Sequence, residues 1–425
     1  MRSRPRCEWR EGEVFSLDEK ARQCGVERDT LRGAIFELRS ALGEYRALPS
    51  GVRIDTPRPD VRGDKAFGGF WVGVYEGSDV VVIVKPRVER YGDMLERLER
   101  IFGDVGWIFL TASSLYAAGS RLAIYGDATR LLKELWFLSA REPRFLARRI
   151  VGFGSRIDVK ERGIYIHGRR REKNRALANA VVLGVRRIIE ATENAEELAE
   201  ELPPGIKPVV DRYLASIRRG AAAIAEELGD MVSWADGEEL GPYWHVAANA
   251  VRGHVWSQKG GAGRFVMIPS TKLYELYVYS VFAERLGPSF RECGPLCLKV
   301  AGVHLYFNAA PLSRLVRRLS GRRPKPDVAF KTGQSIAVVE AKYRELRDRK
   351  LGLPDAVRIA AYLADVARNG RLKAVIASLS KPEGEDQIVA RIGDGVEAAV
   401  YYAEINPDSS QDDVRSALAF LTSER

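Results

Sequence analysis

The chain is poor in cysteine, histidine, methionine, glutamine and asparagine. Its 425 residues hold four Cys, four His and four Met, with 5 Gln and 7 Asn against 51 Arg and 16 Lys. Four cysteines over this length do not make the disulfide scaffold of a small secreted domain. Cys293 and Cys297 flank a Gly-Pro turn without a second Cys/His pair at zinc spacing, so they read as core thiols. His167, His245, His254 and His304 are scattered, and no Ser-His-Asp arrangement can be assembled from them. Neither the glycine run at Gly260–Gly263 nor any other ends in Gly-Lys-Ser/Thr, so nucleotide hydrolysis would belong to a separate chain. No apolar run nears the roughly 20 residues of a membrane-spanning helix. The opening Met-Arg-Ser-Arg-Pro-Arg has no apolar stretch behind it, so no secretory signal is expected. A cytoplasmic globular protein is the expectation, with no membrane partner. Few thermolabile residues beside abundant Arg suit a heat-adapted host.

What is present is apolar mass and segregated positive charge. The sequence is 46% apolar and 29% charged, enough to bury cores in two or three domains. Formal charge is +10; residues 141–175 and residues 311–350 each carry 12 Lys/Arg against 4 Asp/Glu, so each window is +8 and the remainder −6. Two basic segments on a mildly acidic body suit a polyanion-binding surface; a solvated heat-adapted surface is the plainer alternative. Arg169, Arg170, Arg171, Lys173 and Arg175 in the first window, and Arg322, Arg323 and Lys325 in the second, are the candidate contacts to the phosphates of double-stranded DNA.

Along the chain, residues 17–46 predict helices with Leu17, Ala21, Leu31, Ile35, Leu38 and Leu42 on apolar positions. Ala21, Gly25, Val26 and Leu31 have helix-turn-helix spacing, which fits DNA contact or a plain helical hairpin. Phe70–Tyr75 and Val80–Val84 predict two strands joined by the turn Glu76–Asp79, with Pro86 ending the second. Asp93–Phe102 returns to helical spacing. Residues 1–115 thus form a small α+β domain, residues 116–258 a mostly helical middle region with a basic segment, and residues 259–425 a C-terminal domain. Pro203-Pro204-Gly205 reads as a surface break within the middle region.

Chemistry concentrates in the C-terminal third. Pro326-Asp327-Val-Ala-Phe330 and Ile336-Ala-Val-Val-Glu340-Ala-Lys342 predict a β-hairpin about Gly333-Gln334, which sets Asp327 opposite Glu340. Lys342 falls on the same face as Glu340, because side chains alternate along a strand. Paired carboxylates in an apolar setting repel and lose hydration, and a hard divalent cation compensates them. A lysine beside them orients or deprotonates a water, or stabilises charge on a phosphoryl group. That set suits magnesium-dependent phosphodiester hydrolysis, with Mn2+ as an alternative ion; a salt-bridge cluster at a hairpin end is the plainer reading. Upstream, Thr271–Leu286 predicts a helix apolar nearly all round. Glu275 lies on one face of it with Val278, Tyr279 and Phe282, and a carboxylate there needs a lysine, an arginine or a metal. Pro354–Asn369 predicts a further helix, Leu372–Leu379 and Val396–Ile405 strands, and Asp412–Leu421 a last helix.

This order, with Asp327, Glu340 and Lys342 in it, resembles the PD-(D/E)xK nuclease superfamily, and within it the McrC family of nuclease subunits from McrBC-type modification-dependent restriction systems. Phe70-Trp-Val-Gly-Val74 followed by Val80-Val-Val-Ile-Val-Lys-Pro86 is similar to that family's N-terminal signature. Phe265-Val-Met-Ile-Pro269 leading into Leu273-Tyr-Glu275 is similar to its entry into the nuclease domain, and Glu172-Lys-Asn174-Arg175 fits its middle helix. Glu340 departs from the Asp frequent in McrC proteins, and the superfamily accepts both. The resemblance implies a restriction-endonuclease-like mixed sheet flanked by helices and an Mg2+ site of Asp327, Glu340 and Glu275. It also implies DNA cleavage leaving a 5′-phosphate, and docking of the N-terminal domain on a hexameric McrB-like AAA+ GTPase. A stand-alone repair or junction nuclease of the superfamily, and a dormant DNA-binding scaffold, are the rival readings.

Overall fold

A computed structural model describes residues 4–43, 54–102, 196–212, 215, 264–287, 291–294, 297–300, 302–308, 325–333, 335–346, 353–366, 372–384, 386–393, 396–408 and 411–423. The chain falls into two compact units, Met1–Gly92 with Asp104–Pro269, and Asp93–Gly103 with Ser270–Arg425. Among the described residues no helix is long and apolar enough to cross a membrane. The candidate phosphate contacts Arg169, Arg170, Arg171, Lys173, Arg175, Arg322 and Arg323 lie outside the described residues, as does the middle helix; Lys325 is described and exposed.

The first unit opens with β1 (Arg6–Arg10), β2 (Val14–Ser16), α1 (Leu17–Cys24) and α2 (Arg28–Gly43). Ser16 caps α1, its side chain accepting the Glu19 N–H at 3.5 Å, which satisfies one of the helix's orphan donors. Gly25 ends α1 in the left-handed region at φ 66°, and this lets the Val26 N–H reach back to the Ala21 carbonyl at 3.0 Å. Glycine enters that region without the Cβ clash other residues meet. Leu17, Ala21, Leu31, Ile35, Leu38 and Leu42 are all buried, on the positions the helical spacing predicts.

Cysteine chemistry departs from expectation. Cys7 and Cys24 form a disulfide that joins β1 to the end of α1, with Cα atoms 5.0 Å apart, and Cys297 is disulfide-bonded rather than a core thiol. Cys7 and Cys24 are 17 residues apart, and only the packing of α1 against β1 brings them together.

Next come β3 (Asp60–Arg62), β4 (Lys65–Phe67), β5 (Trp71–Glu76) and β6 (Val81–Lys85). β2, β4 and β3 make a three-stranded sheet; β5 and β6 form the expected hairpin, and β1 joins β6 in parallel. Glu37 of α2 holds the hairpin turn, accepting from the Tyr75 hydroxyl at 3.1 Å and the Ser78 hydroxyl at 3.3 Å. The fourth strand of this sheet is β7 (Arg264–Pro269), antiparallel to β5 from Trp71↔Pro269 to Glu76↔Arg264. A division at residue 259 sets β7 with the C-terminal domain, whereas its hydrogen bonds run to the N-terminal sheet. Gly73 makes that pairing geometrically feasible. Its φ is +143°, and a Cβ there would stand 2.0 Å from the Val266 carbonyl oxygen. Residues 196–212 also belong to this unit. Pro203-Pro204-Gly205, expected as a surface break, turns between two short helical segments, and Leu202 and Ile206 beside it and Val210 in the second segment are buried.

In the second unit, α3 (Tyr91–Phe102) contributes from Asp93 onward; α4 (Ser270–Leu286) follows, and Arg97 pairs with Glu284 and lies 5.7 Å from the Tyr277 ring centroid. Then come β8 (Arg291–Gly294), β9 (Cys297–Val300), β10 (Val303–Phe307), β11 (Val328–Thr332), β12 (Ser335–Glu345), α5 (Leu353–Val366), β13 (Leu372–Ser380), β14 (Gln387–Gly393), β15 (Val396–Glu404) and α6 (Gln411–Thr422). They build one eight-stranded mixed sheet in the order β14-β15-β13-β12-β11-β10-β9-β8. β12, β13 and β15 run parallel at its centre and the outer pairs are antiparallel. β13 is buried along nearly its whole length, as a parallel strand covered on both faces must be.

Helices supply that cover. α5 sets Ile359, Tyr362 and Leu363 on Val338, Ala374, Ile376 and Tyr402. α4 is buried all round, as its sequence predicts. Its Tyr274 ring lies 5.4 Å from that of Tyr343 and its hydroxyl donates to the Ile405 carbonyl at 2.8 Å, while Phe282 meets Phe330 edge-on at 5.2 Å. Val338 faces α5 and Tyr343 faces α4, so the period-2 alternation of β12 assigns the two helices to opposite faces of the sheet. The multidomain α+β expectation holds, with a mixed sheet flanked by helices.

Candidate active site

The site grows out of the β11–β12 hairpin. Gly333 turns it at φ +57°, and pairing runs from Thr332↔Ser335 out to Val328↔Val339, the register that a Gly333-Gln334 turn predicts. Asp327 therefore stands just before β11, level with Glu340. Its Oδ2 accepts the Ala341 N–H at 2.8 Å, while its own carbonyl accepts the Asn308 N–H at 2.9 Å. Asn308 sits at φ 50°, a left-handed position that asparagine tolerates. Its side-chain amide reaches Glu275 Oε2 at 3.4 Å. One residue at the end of β10 thus ties the Asp327 backbone to the α4 carboxylate, and no spacing in the sequence announces it.

Glu275 also has a cation. Lys272, one turn earlier on α4, donates to Glu275 Oε1 at 2.8 Å and to Oε2 at 2.7 Å, both side chains being buried. The i,i+3 spacing puts the two on one face, a signal that was available in the sequence.

Glu340 and Lys342 point to the α5 side. Lys342 Nζ lies 2.9 Å from Glu340 Oε1 and 2.8 Å from Asp355 Oδ1. Arg358 Nη1 reaches the same Glu340 oxygen at 2.9 Å, and Arg344 Nη2 donates to Asp355 Oδ2 at 3.1 Å. Asp355 and Arg358 come from α5, and sequence reasoning did not single them out. Glu340 is 2% exposed, and its Oε2 is buried without a hydrogen-bond partner among the described residues.

Electrostatics follow from this packing. Burial first, then the charges of Glu275 and Glu340, push the Asp327 carboxyl well above the usual carboxylate range, against a smaller opposing pull from Lys272 and the Ala341 N–H. Burial lowers Lys342, but the charge of Glu340 and the hydrogen bonds to Asp355 and Glu340 outweigh it, and the lysine ends above its ordinary value. Lys342 is therefore a cation at neutral pH. A cation held there can orient a water or stabilise an oxyanion, and is poorly suited to abstracting a proton.

Among the described residues no group of three or more His, Cys, Asp or Glu side chains is arranged to hold a metal ion. Magnesium asks for less, since it is held by one or two carboxylates and takes its other ligands from water and substrate phosphate. The buried Glu340 Oε2 without a partner, and an Asp327 carboxyl that two neighbouring carboxylates disfavour as an anion, fit a hard cation. Glu275 acts on Asp327 electrostatically, with its own oxygens on Lys272.

No protein-family model matches the chain, and no curated protein matches it. Among solved structures, the chain is similar to one described as a refined half-complex from a tetradecameric assembly of Thermococcus gammatolerans McrB AAA+ hexamers with bound McrC, at 12% identity and a TM-score of 0.45, covering 97% of this chain and 99% of that one.

Proposed function

We propose that this chain is a magnesium-dependent DNA endonuclease of the PD-(D/E)xK kind, acting as the McrC-like partner of a McrB-like AAA+ GTPase. One observation carries the nuclease reading. The β11–β12 register sets Asp327 level with Glu340, with Lys342 on the Glu340 side and one buried Glu340 oxygen without a hydrogen-bond partner among the described residues. Asp327 and Glu340 would hold Mg2+, with Glu275 as the third carboxylate. When bound, the ion would polarise the phosphoryl oxygen and acidify the attacking water. The protein's own residues do the rest. Lys342 orients the water and opposes charge developing on the phosphoryl group. The Ala341 N–H fixes the angle of Asp327, and Asn308 and Lys272 fix Glu275. Phosphate contacts are assigned to Lys325 and, from the basic segments of the sequence, to Arg169, Arg170, Arg171, Lys173, Arg175, Arg322 and Arg323. The ring-docking role of the N-terminal domain rests on the sequence resemblance alone.

A dormant DNA-binding scaffold is the second reading. It is favoured by Lys342 and Arg358 both occupying Glu340 Oε1.

The test is cleavage of linear duplex DNA with Mg2+, with and without a McrB-like GTPase and GTP. Asp327→Ala, Glu340→Ala and Lys342→Ala are expected to abolish cutting while DNA binding persists. Cutting at the wild-type rate by any of these variants overturns the assignment, and binding without cutting by the wild type favours the scaffold.

A further inference from the structure

We infer that Asp355 is a positioning residue for the proposed cleavage, holding the Lys342 ammonium against Glu340 from the first turn of α5, an inference that rests on the nuclease reading above. Lysine reaches its position on four flexible bonds, and two carboxylates at 2.9 and 2.8 Å fix where its donors point. Glu340 alone would leave the ammonium free to swing about a single contact. Asp355 supplies the second point and comes from a different element, so the direction of Lys342 is set by the packing of α5 on the sheet.

A plainer reading is that an acid in the first turn of a helix favours the positive end of its dipole. The contacts of Asp355 go further than that. Oδ1 takes Lys342 at 2.8 Å, with Arg358 at 3.9 Å, and Oδ2 takes Arg344 at 3.1 Å. Its side chain is 18% exposed, while those of Arg344 and Arg358 are 46% and 49% exposed. One carboxylate therefore arrays three cations, two of them open to solvent, and one of these, Arg358, also reaches Glu340 at 2.9 Å, where a phosphodiester would approach. Removing Asp355 would free Lys342 to rotate and would unseat Arg344, while Asp327 and Glu340 stay in place for the metal. Cleavage should then suffer in turnover rather than in assembly of the site.

The experiment compares full-length wild type, Asp355→Asn and Asp355→Glu, using cleavage of linear duplex DNA with and without the GTPase partner, and calorimetric titration with Mg2+ alone. Asp355→Asn is expected to lower kcat by roughly 10–100-fold with KM for DNA within about twofold of wild type. Mg2+ affinity should be unchanged. Asp355→Glu, which keeps the charge, should recover most of the rate and gives the reading should the Asn variant fail to fold. A wild-type kcat in Asp355→Asn, a raised KM at unchanged kcat, lost Mg2+ binding, or a Glu variant no better than Asn each overturns the positioning role. If the wild type itself cuts in neither arm, the nuclease reading falls instead.

Discussion

Lys272 sets its ammonium between the two oxygens of Glu275, 2.8 and 2.7 Å away, with both side chains buried on α4. Removing only one member of a buried pair leaves an uncompensated charge. Lys272→Ala should therefore cost about 3–5 kcal/mol, while Lys272→Met with Glu275→Leu should restore much of the loss. Equilibrium urea unfolding measures both. A single variant within about 1 kcal/mol of wild type would mean that Glu275 has another adequate partner.

Without a bound cation, the raised Asp327 carboxyl is expected to make the site a source of instability, so the comparison is made with divalent metal chelated. A carboxyl whose folded pKa lies above its unfolded value costs stability once ionised in the folded state. That cost is full above the folded pKa and disappears as pH falls below the ordinary carboxylate range. Asp327→Asn keeps an acceptor for the Ala341 N–H and removes the charge. It should be more stable than wild type at neutral pH, with the advantage shrinking to nothing as the solution is acidified, while cleavage is lost. Thermal melts across pH would show the two curves converging on the acid side; a constant gap would contradict the burial argument.

Asp355 has the opposite sign. Burial pushes it up, but Lys342, with Arg344 and Arg358 behind it, more than cancels that and leaves it below its ordinary value. The stability it contributes is present above its unfolded pKa and is lost as pH falls through its folded one. In Asp355→Asn this acid-limb loss should be absent from the stability–pH curve, whereas a curve parallel to wild type would show that the Lys342 contact adds nothing to folding.

Gly73 and Gly333 offer a matched comparison. Both have positive φ, but a Cβ at Gly73 meets the Val266 carbonyl at 2.0 Å whereas one at Gly333 meets nothing within 4 Å. Gly333→Ala should cost about 1–2 kcal/mol for the left-handed backbone. Gly73→Ala should cost more than that strain alone, because backbone must move on both strands. Equal losses in urea unfolding would mean that β7 shifts freely away from β5.

The hairpin that carries the candidate site was legible because its logic is local. Gly333 marks the turn and the period of two then fixes which residues face each other, so Asp327 and Glu340 followed from counting. α1, α2, α4 and the β5–β6 hairpin were legible for the same reason. Asp355 and Arg358 were not, because nothing in Pro354-Asp355-Ala-Val-Arg358 distinguishes a helix start that grips β12 from an ordinary capped helix. Asn308 escaped notice because its role needs a left-handed backbone that composition does not reveal. The Cys7–Cys24 bond depends on α1 folding back against β1, and β14 reads too weakly as an edge strand. Strand β7 was visible as an apolar run, but its partner was not, since an apolar run carries no address.

That address shapes how the molecule comes into being. The N-terminal sheet gains β7 only when residues 264–269 exist, so during synthesis β5 waits with one edge bare while the whole middle region is made. Bare strand edges template wrong pairings, and contacts this distant in sequence form slowly because a long loop must close first. The span from Gln387 in β14 to residue 404 closes quickly by comparison. The sheet bearing Asp327 and Glu340 can therefore form from neighbouring segments, whereas the N-terminal sheet is finished by residues near the far end of the intervening region. A fragment cut between residues 103 and 263 separates β5 from its partner, leaving an exposed edge in the N-terminal piece and an unpaired strand in the other.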